Sequence, residues 1–323
     1  MALSFNSSNS LYDFEIREGN GVKGVADLGL SELPERTCDA PPIDLSKLNG
    51  PEHEKVVDEI VRASETLGFF QVVNHGVPLE LLESLKDAAH TFFNLPQEKK
   101  AVFRTAIRPG LVTKLRSSFD FISMVHTSDE DALQNWPNQC REVALEYLKL
   151  SHKMVRGIVK ILISKLGIVN MNYYPPFPNP ELTVGVGRHS DLGTITALLQ
   201  DEIGGLYVKM EEENDAGKGE WLEIPPIPGA LVINIGDILE ILSNGKYKSA
   251  EHRTKTTSIK ARVSVPLFTL PIATERIGPL PEAVKNDGFA QYREVAMQDY
   301  TKNFFGNAHQ GNKTLDFARI NSA

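Results

Sequence analysis

The sequence predicts an α+β fold, with helices laid against the outside of a β core. Three observations lead there. Apolar residues recur at helical spacing in the first half of the chain, from Pro51 to about Leu166. After Gly167 the texture changes to about eight short strand-like runs separated by Gly, Pro, Asn and Asp. Helical spacing returns near the end, at Tyr292–Phe305.

The elements follow in order. Residues 1–42 read as an irregular arm with a short amphipathic piece near Val25–Leu33, closed by Pro41-Pro42. Ile43-Asp44-Leu45 begins the first strand. Val56, Val57, Ile60, Val61 and Leu67 mark a helix from Pro51, and Gly68 stops it. Phe69–Val73 is an apolar run bounded by that glycine and by Asn74-His75-Gly76, so it reads as a buried strand and its turn. Pro78 opens a second helix with Leu81, Leu82, Leu85 and Phe92 on one face. Asn138 is placed to cap a third helix reaching about Leu166, with Gly167 ending it. The strand-like runs are Val169–Tyr174, Val184–Gly187, Ile195–Leu199, Gly205–Met210, Trp221–Ile224, Ala230–Ile235, Lys246–Glu251 and Arg262–Phe268. Such spacing suits a double-sheet jelly roll or a barrel better than a parallel α/β sheet. The chain divides into residues 1–137, arm plus helices, and residues 138–323, long helix, β core and closing helix, within one structural unit.

Composition narrows the function class. The 323 residues are 41% hydrophobic and 24% charged, with a formal net charge of −8. That balance argues against broad attraction to nucleic acid or to an anionic membrane surface. Met1–Ser10 lacks the basic and apolar stretches of a signal peptide, and no apolar run is long enough to span a bilayer. With only Cys38 and Cys140, no disulfide framework is expected. A cytoplasmic monomer acting on a small molecule is the expectation.

His189-Ser190-Asp191 and the later His252 carry the chemistry. Two imidazoles and a carboxylate are the ligand set of a facial metal triad, which suits non-haem Fe(II) and leaves coordination positions open. Residues i and i+2 of a strand share a side, so His189 and Asp191 can reach one ion. A His-x-Asp spacing alone arises by chance in about 0.4 of such chains, so the weight lies in what accompanies it. Arg262 and Ser264 are again an i, i+2 pair, fit to grip an acidic co-substrate through a guanidinium fork and a hydroxyl. Asn172 and Tyr174 form another such pair. His53, His75, His90, His126, His152 and His309 read as surface, turn or core residues.

At these residues the chain resembles the plant-type 2-oxoglutarate and Fe(II)-dependent dioxygenases, over nearly its whole length. The resemblance rests on Phe69–Gly76, Asn172–Pro176, His189–Asp191, Asn234–Asp237, His252 and Arg262–Pro266. Within the family, residues 17–24, 185–191 and 243–252 are most similar to the coumarin-pathway hydroxylases of plant phenylpropanoid metabolism. The resemblance implies a double-stranded β-helix (jelly roll) core with a helical N-terminal region and a C-terminal helix. It implies Fe(II) on His189, Asp191 and His252, with 2-oxoglutarate held by Arg262 and Ser264 and helped by Tyr174 and Asn172. O₂ is consumed, and ascorbate serves as reductant. Phe268 matches a position that often stacks on an aromatic substrate, and Phe304 is a second, weaker wall candidate. The implied reaction is 8-hydroxylation of a free coumarin, or alternatively ortho-hydroxylation of a feruloyl- or coumaroyl-CoA thioester. For a thioester, Lys114, Arg116 and Lys209 are the cations available to meet phosphates.

The chain is shorter than the family near Arg36–Thr37, Phe119–Asp120 and Gly167–Val169, and Glu211–Gly219 is a long acidic insertion. Three competing readings are weaker. An oxidase without 2-oxoglutarate would have no use for Arg262 and Ser264. A non-catalytic small-molecule binder would be favoured by loss of a metal ligand. A zinc hydrolase would need a general base beside the ion, and no His-Glu-x-x-His helix exists.

Overall fold

A computed structural model describes residues 36–96, 98–100, 103, 111–114, 120–158, 166–177, 185–210, 220–306 and 312–320. The arm with its amphipathic piece, Arg116, the insertion at 211–219 and His309 lie outside the described residues.

The strands are β1 Arg36–Thr37, β2 Ile43–Asp44, β3 Phe69–Val73, β4 Leu111–Lys114, β5 Asp120–His126, β6 Leu166–Tyr174, β7 Val186–His189, β8 Ile195–Gln200, β9 Leu206–Met210, β10 Glu220–Glu223, β11 Leu231–Ile235, β12 His252–Thr254, β13 Arg262–Leu270, β14 Arg276–Ile277 and β15 Val295–Ala296. The α-helices are α1 His53–Thr66, α2 Leu79–Phe93, α3 Asp129–Asn135, α4 Arg141–Ile158, α5 Asp237–Leu242, α6 Pro281–Asp287 and α7 Met297–Gly306. Short 3-10 helices cover Leu45–Asn49 and Asn312–Phe317.

Two sheets face one another. The larger has strand order β2-β3-β11-β8-β13-β6-β5-β4, and the smaller β1-β10-β9-β12-β7. This is the jelly roll. The period of two in each strand sorts its residues between two environments. Val263, Val265 and Leu267 of β13, Ile195, Ala197 and Leu199 of β8, and Leu231, Ile233 and Ile235 of β11 point outward. There they join Val56, Ile60, Leu82, Leu85, Phe92, Ala144 and Leu148 of the helices in the main core. Their neighbours on the same strands point between the sheets. Phe69, Leu198 and Val232 of the larger sheet meet Leu206, Val208 and Leu222 of the smaller there. A third cluster, with Ile238, Ile241, Leu270, Tyr292, Val295, Met297 and Tyr300, seats the C-terminal elements on one end of the roll.

Several expected elements form where the sequence places them. α1 ends at Thr66, with Gly68 at φ +70° behind it. β3 occupies Phe69–Val73, and Pro78 is the N-cap of α2. Others differ. The third helix does not reach Leu166: among the described residues it ends at Ile158, and Leu166–Tyr174 is strand. Gly167 is therefore no helix stop. It lies inside β6 opposite His126 and Thr269, where pairing on both edges outweighs the apolar helical stripe. Lys246–Glu251 is not a strand either. Asn244 and Gly245 take left-handed conformations, at φ 55° and 85°, and turn the chain back on α5, so pairing with β9 begins only at His252. The closing helix starts at Met297 rather than Tyr292, because Val295–Ala296 is drawn into a ladder with Arg276–Ile277. Leu45 opens a 3-10 helix instead of continuing its strand. β4 and β5 extend the larger sheet from a region read as arm and helices.

A cavity of about 810 Å³ opens on the helix-covered side, where Val57, Ile60 and Val61 of α1 face Ile158, Ile195 and Ile235. None of the candidate metal or oxoacid residues lines it.

Candidate metal centre

β7 and β12 pair antiparallel with His189 directly opposite His252. That register brings together residues far apart in sequence, with ring centroids 4.2 Å apart. Asp191 follows β7 and completes the group. Each of the three offers a ligand atom within 4.8 Å of the others. Oδ1 of Asp191 stands 3.8 Å from Nε2 of His189 and 3.7 Å from Nε2 of His252.

The remaining polar atoms are already engaged. Nδ1 of His189 donates to the Gly187 carbonyl at 2.8 Å, and Nδ1 of His252 to the Ala250 carbonyl at 3.1 Å. A carbonyl only accepts, so each ring carries a proton on Nδ1 and turns Nε2 inward. Oδ2 of Asp191 accepts from Asn234 Nδ2 at 2.7 Å and from the Thr196 hydroxyl. The Phe69 ring meets His252 edge-on, 5.1 Å between centroids.

Electrostatics suit a cation. Burial, aided by the neighbouring His252, pushes His189 down to about 4, so its ring is neutral and free to ligate at physiological pH. Burial pushes the Asp191 carboxyl up. Yet His252, His189 and the bonds from Thr196 and Asn234 together outweigh it and hold the group below the usual carboxylate range. Two imidazoles and an ionised carboxylate could hold Fe(II).

The second cluster lies on the larger sheet. β6 and β13 pair so that Tyr174 stands opposite Arg262 and Asn172 opposite Ser264. The two i, i+2 pairs thus fuse into one four-residue patch. Arg262 is 1% exposed. Its Nε donates to the Gly204 carbonyl at 2.7 Å and its Nη2 to Gln200 Oε1 at 3.2 Å. Nη1 is buried with no hydrogen-bond partner among the described residues. The guanidinium also lies 5.1 Å from the centroid of the Tyr174 ring. A buried guanidinium with an open donor is costly unless an anion meets it, which fits the distal carboxylate of an oxoacid.

Phe268 shares its strand face with Arg262 and Ser264 and stands opposite Thr196, the residue holding Asp191. It stands opposite Ile168 on β6 and packs, half-buried, against the cluster that seats the C-terminal elements. Phe304, also half-buried, sits on the face of α7 that carries Met297 and Tyr300, and its ring meets exposed Phe305. Lys209, considered for a phosphate, is tied to Glu251 at 3.3 Å, and Arg188 meets the same carboxylate at 3.5 Å. His75 is a turn residue as expected: Nε2 bonds the Gly229 carbonyl and Nδ1 accepts from the Val77 amide. Sequence reasoning missed Asn234 and Thr196 as partners of Asp191. They stand opposite each other on β11 and β8, a pairing no local motif declares.

Comparison with known proteins agrees with this geometry. Residues 166–271 match the 2OG-Fe(II) oxygenase superfamily, and residues 40–139 match the family described as non-haem dioxygenase in morphine synthesis N-terminal. The chain is 53% identical to a scopoletin 8-hydroxylase from Arabidopsis thaliana over 361 positions, covering 99% of each chain. It is 42% identical to a feruloyl CoA ortho-hydroxylase from Ipomoea batatas, covering 97% of this chain and 98% of that one. Against the first, 361 aligned positions for 323 residues leave at least 38 without a counterpart here, in keeping with the expected shortness. Among solved structures, JOX2 in complex with 2OG, Fe and JA superposes with a TM-score of 0.76 at 28% identity, covering 93% of this chain and 97% of that one. The dioxygenase for auxin oxidation from rice does so at 0.77 and 25% identity, covering 87% and 100%. The chain belongs to the 2OG-Fe(II) oxygenase superfamily and is a dioxygenase that uses Fe(II) and 2-oxoglutarate.

Proposed function

We propose that this dioxygenase hydroxylates a free coumarin of the scopoletin type at ring position 8. In this reading His189, Asp191 and His252 hold the iron, and Arg262 and Ser264 grip 2-oxoglutarate with Tyr174 and Asn172 as helpers. The observation that carries it is the 53% identity, over nearly the full length of both chains, to a scopoletin 8-hydroxylase. The iron and the oxoacid supply the oxygen-activating chemistry when bound.

The protein's own residues bind, orient and exclude water. The Nδ1 bonds to Gly187 and Ala250 fix both imidazole tautomers before any ion arrives. Asn234 and Thr196 hold Oδ2 of Asp191, which leaves Oδ1 to face the two Nε2 atoms. The open Nη1 of Arg262 supplies the donor for a distal carboxylate, with the Tyr174 ring against the guanidinium. Phe268 presents an aromatic wall beside the metal ligands, suited to stacking on a flat ring. Phe304 is the second wall of this reading. The division at 137/138, a monomeric state and a cytoplasmic setting belong to the same proposal. Cys38 and Cys140 are free thiols, as a reducing compartment would keep them.

The alternative, ortho-hydroxylation of feruloyl- or coumaroyl-CoA, draws on the 42% relative. A CoA thioester brings phosphates that want available cations. Glu251 occupies both Lys209 and Arg188, which favours the uncharged coumarin.

The test is direct. Purified protein with Fe(II), ascorbate and 2-oxoglutarate is given scopoletin or feruloyl-CoA, and the products are weighed by mass spectrometry. One added oxygen on scopoletin is the expected result. Conversion of feruloyl-CoA alone would transfer the function to the alternative.

A further inference from the structure

The buried carboxylate of Asp237 is unused by the chemistry above, yet its residue is bonded to the segments that carry the metal ligands. It is 0% exposed. Its Oδ1 accepts from Ser249 Oγ at 2.7 Å, and its Oδ2 from Tyr300 OH at 2.8 Å and Thr314 Oγ1 at 2.9 Å. Thr314 Oγ1 also lies 3.5 Å from Ser190 Oγ. In that pair either hydroxyl can donate. The Asp237 backbone N–H donates to the Asp191 carbonyl at 2.8 Å.

These bonds reach four separate stretches of chain. Ser190 and Asp191 belong to the loop that carries two ligands. Ser249 adjoins Ala250, whose carbonyl fixes the His252 ring. Tyr300 and Thr314 come from α7 and the C-terminal 3-10 helix. The preceding Gly236 lets Asp237 approach so closely: a Cβ there would lie 2.3 Å from the Gly193 carbonyl oxygen and 2.9 Å from that of Asp191.

We propose that Asp237 is a positioning residue for the metal site. It clamps the His189–Asp191 loop, the segment leading to His252 and the C-terminal elements into one register, and through it Tyr300 and Thr314 belong to the metal centre. This rests on the assignment of His189, Asp191 and His252 as ligands.

The test uses full-length protein and Co(II) alone, titrated by its visible absorption, with near-ultraviolet circular dichroism to verify folding. Asp237→Asn keeps the shape but turns an acceptor into a donor facing hydroxyl protons. It should weaken Co(II) binding about tenfold or more and alter the band shape, as loss of outer-shell partners does. Thr314→Val and Tyr300→Phe each remove one bond and should weaken it several-fold. They carry the test if the Asn variant does not fold. Lower melting temperatures with unchanged Co(II) affinity and spectrum in the folded variants would overturn the proposal, leaving Asp237 a scaffold residue. The controls separate the two claims. If wild type binds no Co(II), or His252→Ala binds it as well as wild type, the ligand assignment fails and this proposal fails with it.

Discussion

The two polar clusters between the sheets are built differently. Around the metal ligands the atoms that would not face an ion are engaged: both Nδ1 atoms on carbonyls, Asp191 Oδ2 on Asn234 and Thr196. On β13 the Arg262 fork is held by Nε and Nη2 while Nη1 stays open. One site is finished in advance and wants only a small cation. The other is left one bond short and wants an anion with reach. The contrast matches the lifetimes of their guests, since a metal stays through many turnovers and an oxoacid is consumed in each.

Substitutions can test whether the two sites are separable. Arg262→Ala should have the largest effect. Charge-assisted bonds of about 1.5–3 kcal/mol each correspond to a 10- to 100-fold rise in the 2-oxoglutarate concentration for half-maximal turnover. Co(II) affinity should stay near the wild-type value. If the oxoacid requirement does not move, the division of labour is wrong. Asn234→Ala works on the other cluster. Freeing one bond of Asp191 should cost about tenfold in Co(II) affinity, read by titration, with little change in oxoacid requirement. An equal loss on both axes would mean that the clusters act as one unit.

The smallest effect lies outside both. Burial, then Arg156 and His126, pushes His152 from 6.5 down to about 4, and its Nε2 has no hydrogen-bond partner among the described residues. The unfolded chain therefore takes up this proton more readily than the folded one. The stability His152 contributes is complete above pH 6.5 and is lost as pH falls towards 4. His152→Gln should flatten that part of the decline in urea midpoint between pH 7 and 4. Identical slopes for the two proteins would place the acid sensitivity elsewhere.

Much of this architecture could be read from the chain, and the failures share a cause. β3 matches its expected bounds because an apolar run sits between Gly68 and Asn74-His75-Gly76, all local signals. Arg262 with Ser264, and Asn172 with Tyr174, were legible as two-residue spacings. Their fusion into one patch was not, since ladder register is a property of two distant strands. The apolar stripe of the long helix continues in sequence past Ile158, while the ladders that claim Leu166–Tyr174 involve β5 and β13. β5 is hard to read from the chain, although Ile122 and Met124 are buried and alternate with half-buried Phe121, Ser123 and Val125. Seven residues of period two are a faint signal beside a helix. Lys246–Glu251 reads as a strand-like run bounded by Asn244-Gly245, whereas that pair wraps the end of a short helix.

Among the described residues β7 is the outermost strand of the smaller sheet, held by backbone bonds to β12 alone. His189 ends that strand, Asp191 follows it, and His252 begins its neighbour. An ion at this centre is thus also a rivet through the hem of the sheet. Chelation would leave the hem loose, and its amides would be the first to exchange with deuterated water while the helix-backed strands remain protected.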